Sequence, residues 1–457
     1  MKLPASLQKF ASSAVYVLVA RILACAAVIS FNFLLARALS PSEFGTFVLA
    51  FSWAGLASLA ASLGLNRALV KIIAESGPNW NSAHTQRIID FGLIVGSIAG
   101  VLVGALAAVC GYFCLPNQSA TDLFMLSVIF GGIVWLRTLH LVLAESARGF
   151  HEKLWSNLYG SPAGGPVPHL LFALMLAIGM RIGDVTLGTA LIMYLSAFAL
   201  TLPPLMGFVR RLPSRMSEQS NEISATPQIR YSAILALSMP LMLTQVCGLA
   251  MSQADIWLAG ALVTPSELAM YGSAARMMAF LTMPLQIAGT AIVSFIPDLI
   301  ARNDRKSLQE IVGLASTIAG LPGIFLIGFF LAMPEAILGT IFGDFYREAA
   351  NILRFLTVGQ GICILTGPCE IVLLMAGYQK YVLRVNAIAA AVLVAIVPLA
   401  IDHMGVLGLG LSMCVVTSLQ NFANWCLAGH LVGIKTHFGA IPLDWDSLRN
   451  LRTLAAR

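Results

Sequence analysis

Leu35-Ala36-Arg37-Ala38-Leu39-Ser40-Pro41-Ser42-Glu43-Phe44-Gly45-Thr46-Phe47 returns later in the chain with one residue inserted, as Leu258-Ala259-Gly260-Ala261-Leu262-Val263-Thr264-Pro265-Ser266-Glu267-Leu268-Ala269-Met270-Tyr271. The offset is 223 residues before the insertion and 224 after it. Each copy joins the end of one long apolar run to the start of the next. Self-similarity at a fixed offset marks a duplicated unit. So short a match also arises by chance, but it coincides with the count of apolar runs, six from one copy to the next. Six is even, so both copies would cross a membrane in the same direction. That is a parallel repeat, related by an axis along the membrane normal.

Working outward, the apolar runs recur along the whole chain. A helix needs about 20 apolar residues to cross a hydrocarbon core of ~30 Å. Twelve runs meet that need, at 12–36, 44–66, 88–113, 123–146, 160–179, 184–208, 233–262, 271–296, 311–333, 351–376, 381–401 and 405–431. Pro162, Pro166 and Pro168 crowd the start of the fifth. Composition agrees, with 58% hydrophobic and 11% charged residues. Soluble domains carry about 25% charged residues. The expected fold class is therefore an all-α integral membrane protein of about twelve transmembrane helices. Lys2 and Lys9 before an apolar run imitate a signal peptide, and Ile22-Leu23-Ala24-Cys25 imitates a lipoprotein cleavage box. The run from Ser12 to Ala36 is longer than a signal core of ~7–15 residues and contains Arg21, so it reads as an uncleaved first span.

Charge sets the expected orientation. With the N-terminus in the cytoplasm, twenty of the 27 Lys and Arg residues fall in inner segments. Only Arg37, Arg181, Arg347 and Arg354 fall outside, and Arg21, Arg137 and Arg276 lie within spans. This bias satisfies the positive-inside rule with both termini cytoplasmic. The net charge of +6 then reflects orientation, and nucleic acid is not an expected partner. The longest inner loop, 209–232, is polar and reads as a linker. It divides the chain into an N-terminal six-helix bundle, 1–215, and a C-terminal one, 216–457.

The same residues carry a family likeness. Leu34 to Gly45 resembles the first extracellular turn of the polysaccharide-transporter family, the Wzx-type oligosaccharide flippases of the multidrug/oligosaccharidyl-lipid/polysaccharide exporter superfamily. Ser62-Leu63-Gly64-Leu65-Asn66-Arg67-Ala68-Leu69-Val70 is similar to that family's end of span two. Ala254 to Gly260 resembles its acidic motif in span seven, Tyr271 to Arg276 its start of span eight, and Phe345 to Arg354 its entry to span ten. The resemblance implies two six-helix bundles forming a V around a central cavity. It implies a flippase that moves a polyprenyl-pyrophosphate-linked oligosaccharide from the inner to the outer leaflet of a bacterial inner membrane by alternating access. The product would feed O-antigen lipopolysaccharide, capsule or exopolysaccharide synthesis. Implied partners are the lipid-linked oligosaccharide, the bilayer, a polysaccharide polymerase and chain-length proteins. The chain would act as a monomer, without cofactor or catalysis. A multidrug or small-molecule exporter of the same superfamily is the competing reading. A membrane glycosyltransferase, polymerase or ligase would need a sizeable outer loop bearing catalytic residues, and the outer loops here are short.

Candidate chemistry lies in the intramembrane charges. A charge at the bilayer centre costs at least ~2.5–3.5 kcal/mol on insertion scales, so it faces protein or a wet cavity. Arg21 and Arg137 each lie about nine residues from an inner span end, or ~14 Å deep at helical rise. A guanidinium pairs bidentately with phosphate oxygens, so the two are candidates for holding a lipid pyrophosphate. Each pairing instead with a structural carboxylate or backbone carbonyl is the alternative. Glu145, eight residues from Arg137, or ~12 Å along the helix, is too far to pair with it there. Asp255 and Arg276 read first as an ion pair across the hairpin of spans seven and eight, and second as an ion-coupling site, for which Glu370 in span ten is an alternative. His140 and Glu145, five apart, share no helix face suited to a metal. No GxxxxGK[ST] nucleotide loop occurs, and Gly405 to Gly410 reads as helix packing. Gly92, Gly96, Gly100 and Gly104 form one stripe, for packing or for sliding. Pro240 and Pro284 can bend their helices. The eight cysteines show neither CxxC nor zinc spacing and read as packing residues.

Overall fold

The computed structural model describes residues 5–76, 82–114, 120–160, 164–218, 231–293 and 295–440. Of residues 5–21 only the backbone is described, so the Arg21 side chain lies outside the described residues. So do Pro162, most of the expected linker (219–230) and the side chains of Cys110 and Cys114. Among the described residues the chain is helical throughout, with no strand.

The first helices are α1 (Ala5–Ala38), α2 (Pro41–Ala61), α3 (Leu65–Ser76), α4 (Ser82–Cys114), α5 (Ala120–Gly149), α6 (Lys153–Tyr159), α7 (Pro166–Ile182), α8 (Leu187–Glu218) and α9 (Tyr231–Leu262). There follow α10 (Pro265–Ile292), α11 (Phe295–Ala301), α12 (Arg305–Ala332), α13 (Pro334–Ile341), α14 (Ala350–Thr366), α15 (Cys369–Met375), α16 (Gln379–Met404) and α17 (Val406–Leu427). Nine of the described helices are long and apolar enough to cross a membrane. The Ile22–Ala38 part of α1 and α7 are apolar but shorter. With α10 they account for every expected span.

The two repeat copies have the same local structure. Ser40 caps α2, accepting from the Glu43 amide at 3.4 Å, while Glu43 Oε2 accepts from the Ser40 amide at 3.1 Å. Thr264 and Glu267 do the same for α10, at 3.3 and 2.9 Å. Proline follows the cap in both, where a missing N–H costs nothing. This reciprocal box satisfies amides that no helical partner reaches. The Ser/Thr-Pro-Ser-Glu signal was present in the sequence and its capping role was not read there.

Three expected spans are corrected. The second was carried to residue 66, but α2 ends at Ala61 because Leu63 (φ 49°) and Gly64 (φ 73°) turn left-handed before α3 begins. The fifth starts at Pro166, not 160, with both Pro166 and Pro168 inside the tolerant first turn. The tenth, expected unbroken over 351–376, breaks at Gly367 (φ 76°) and Pro368 into α14 and α15. Pro240 and Pro284, by contrast, leave α9 and α10 continuous.

The chain forms two compact units, one of residues 15–253 and one of residues 254–457 with 1–14. Thus the first part of α9 packs with the N-terminal helices. Gly64 meets the Ser238 and Met242 backbone there, and its left-handed φ and the absence of a Cβ both serve that contact. In this unit α5 is the central helix, with every residue from Leu136 to Ala147 buried. The glycine stripe of α4 faces it. Gly96 lies on Thr138 and Val142, Gly100 on Trp135, and Gly104 on Gly131. Helices in lipid associate by packing, and small residues permit such approach. In the other unit Gly408 abuts Ala400 of α16 and Gly410 abuts Ile352 of α14, so the glycine-rich start of α17 is a packing surface. Six cysteines, Cys25, Cys247, Cys363, Cys369, Cys414 and Cys426, are free thiols.

Candidate functional site

The all-round burial of α5 decides what its polar side chains do. Arg137 is only 3% exposed. Its Nη1 donates to the Phe51 carbonyl of α2 at 3.3 Å, and its guanidinium carbon stands 5.1 Å from the centre of the Phe51 ring. Phe51 belongs in turn to an aromatic group. Its ring is 6.0 Å from His169 and 6.1 Å from Tyr194, and His169 stacks on Phe31 at 5.0 Å. His169 Nδ1 donates to the Gly165 carbonyl at 2.9 Å, which in the neutral ring leaves Nε2 to accept from Tyr194 Oη at 3.3 Å. These contacts hold the Phe51 ring and carbonyl where Arg137 meets them. Sequence spacing did not reveal this group, because its members come from α1, α2, α7 and α8.

One turn along α5, His140 Nδ1 donates to the Leu136 carbonyl at 2.9 Å and Nε2 lies 3.0 Å from Thr201 Oγ1. Glu145, 3% exposed, takes different partners. Its Oε1 is 3.2 Å from Arg148 Nη1 and its Oε2 is 3.9 Å from Arg67 Nη1. Arg148 is further fixed by Ser156 Oγ at 3.0 Å and Asn157 Oδ1 at 3.4 Å. Beside Arg67, Asn66 and Gln245 exchange side-chain amide hydrogen bonds of 2.8 and 3.2 Å. Glu145 therefore has two arginine partners, and neither was read from the sequence. Arg148 was visible three residues on. Arg67 is brought there only by the turn between α2 and α3.

In the second unit Asp255 accepts from Tyr271 Oη at 2.6 Å. Arg276 lies within electrostatic reach of the same carboxylate. Tyr271 is fully buried on α10, and α10 directly follows the helix that carries Asp255. Glu370 is not part of that group. It stands in the first turn of α15, where Asn386 Nδ2 reaches its Oε1 at 3.4 Å, and Gln420 Nε2 donates to Asn386 Oδ1 at 2.8 Å. Among the described residues no cluster of three His, Cys, Asp or Glu side chains suits a metal ion.

Two family models match this chain. Residues 6–144 match the model described as polysaccharide biosynthesis protein, and residues 240–399 match MatE. No curated protein matches by sequence. Solved structures match across nearly the whole chain. An inward-facing multidrug resistance MATE family transporter of the MOP superfamily superposes with a TM-score of 0.68 at 14% identity, covering 92% of this chain and 98% of its own. A MOP superfamily transporter from Pyrococcus furiosus gives 0.62 at 14% identity, with 95% and 99% covered. The lipid II flippase MurJ, in an inward closed conformation, gives 0.58 at 12% identity, with 92% and 87% covered. The fold is that of this transporter class. The two family models match separate parts of the chain, each less than half of it. The match over residues 6–144 bears out the resemblance of the motifs at 34–45 and 62–70 to the polysaccharide-transporter family, and those at 254–260, 271–276 and 345–354 fall within the MatE match.

Proposed function

We propose that this multi-pass membrane protein flips a polyprenyl-pyrophosphate-linked oligosaccharide from the inner to the outer leaflet of a bacterial inner membrane, for surface polysaccharide synthesis. The observation that carries this reading is the polysaccharide-family match over residues 6–144, the segment that contains both Arg21 and Arg137. Both termini face the cytoplasm, as the positive-inside bias requires. The two units alternate access to a shared substrate, in keeping with the duplicated turn at Ser40 and Thr264. Arg21 and Arg137 take the pyrophosphate, drawing the anion to mid-depth in the N-terminal unit. Arg137 comes to that role with its guanidinium placed against the Phe51 carbonyl and the Phe51 ring. Asp255 and Glu370 are the candidates for ion coupling. A polymerase and chain-length proteins act on the product.

The MatE match over residues 240–399 supports a second reading, export of drugs or other small molecules. One experiment separates them. In cells lacking their own oligosaccharide flippase, expression of this chain restores surface polysaccharide and leaves drug efflux at the background level. Efflux without restored polysaccharide selects the second reading.

A further inference from the structure

Arg67 is a guanidinium that is only partly committed. Its side chain is 48% exposed. Its contacts are both long, 3.4 Å from Nε to Gln245 Oε1 and 3.9 Å from Nη1 to Glu145 Oε2. The second is beyond hydrogen-bond distance, and that carboxylate oxygen, though buried, has no hydrogen bond. Arg148, by contrast, is fixed by three partners. Two guanidinium groups thus share one carboxylate, leaving one net positive charge among the three. Lys71, one turn along α3, is itself exposed and reaches Glu75 at 3.8 Å. Arg67 also sits in the first turn of α3, a 12-residue helix whose N-terminal dipole adds positive potential.

We propose that Arg67 is a docking site for a phosphate-type anion, with the nearby Arg148 adding positive potential and Glu145 as the internal counter-charge that the anion displaces from Arg67. The inference rests on the flippase reading for its ligand, a lipid diphosphate, and places an entry station ahead of Arg137. Along α5 the two lie about 12–16 Å apart at helical rise. A guanidinium carries five donors in a planar fork, and most of those of Arg67 are uncommitted. Swinging toward an anion gives up one long ion pair and one long hydrogen bond. A bidentate phosphate contact is worth far more. Glu145 keeps Arg148 meanwhile, so its charge is never left unpaired. The Asn66–Gln245 amide pair holds the base of Arg67 in place during the exchange.

The test is binding of inorganic pyrophosphate to the purified full chain in phosphatidylcholine nanodiscs, by titration calorimetry. Arg67→Gln should weaken binding about tenfold, the size of one charge-assisted contact. Glu145→Gln should tighten it about threefold, because a loose ion pair no longer competes. Nanodiscs containing phosphatidylglycerol distinguish the source of the anion. Competition with pyrophosphate that depends on Arg67 marks a phospholipid headgroup, and absence of competition marks a diphosphate. Both leave the phosphate site standing. No binding by the wild-type chain, equal affinity in Arg67→Gln, or unchanged or weaker affinity in Glu145→Gln overturns the proposal. Restoration of surface polysaccharide judges the flippase reading separately, so the failure of one is distinguishable from the failure of the other.

Discussion

A buried arginine in a membrane bundle is justified by what it holds. Arg137 meets the Phe51 carbonyl and ring on α2, and the proposed phosphate contact would add a functional reason for bearing the cost of a charge at that depth. Arg137→Lys keeps the charge and loses the fork, so it should retain part of the polysaccharide export, while Arg137→Ala should abolish it. Arg21→Ala should do the same. Membrane-inserted protein should remain at wild-type amounts in all three, measured by immunoblot of washed membranes. Full export with well-expressed alanine variants would make these arginines structural. Asp255 poses a different question, since Tyr271 already donates to it at 2.6 Å. Tyr271→Phe removes that donor without changing ring volume. If Asp255 couples an ion, this variant should shift the dependence of transport on proton or sodium gradients. A purely structural pair predicts a lower melting temperature with the ion dependence unchanged.

Helix ends and helix contacts make their own predictions. The two capping boxes are equivalent, so Ser40→Ala and Thr264→Ala should each cost about 1 kcal/mol, read as similar drops in thermal stability in detergent. A large drop for one alone would argue that the turns have diverged in role. On α4, Gly104 meets Gly131 backbone to backbone, and an added Cβ would come within 2.8 Å of the Gly131 Cα. Gly104→Leu should therefore force α4 from α5 and reduce the yield of folded protein by size-exclusion chromatography. Gly188, which has open space around it, should tolerate alanine. Equal yields from Gly104→Leu and wild type would show that the stripe slides instead of packing.

Over the whole molecule the prediction is topology. Single cysteines introduced at Asp184 and His403 should react with a membrane-impermeant maleimide from outside intact cells. One at Asn303 should react only after permeabilisation. Labelling of Asn303 from outside would overturn the span count and with it the assignment of Arg137 to the inner half. The positive-inside bias sets the direction, since a single miscounted span would invert every later loop.

The sequence by itself determined the class, the twelve apolar runs and the duplicated turn, because each rests on local chemistry. A bilayer demands about 20 apolar residues in a row, and a capped turn demands Ser or Thr, Pro and Glu at fixed spacing. It also named Arg137, Asp255 and Glu370, since a charge inside an apolar run is visible without a fold. Only the tertiary structure decided their company. The Phe51 carbonyl against Arg137, Tyr271 against Asp255, and Arg67 against Glu145 join residues 86, 16 and 78 positions apart. The last depends on a left-handed turn at Leu63 and Gly64, which hydropathy does not register because both residues are apolar or small. The break at Gly367 and Pro368 was likewise hidden inside a run apolar enough to span. Hydrophobic patterning reports whether a segment belongs in lipid. Which helix face meets which depends on packing shape between distant segments, and no single stretch of sequence carries that information.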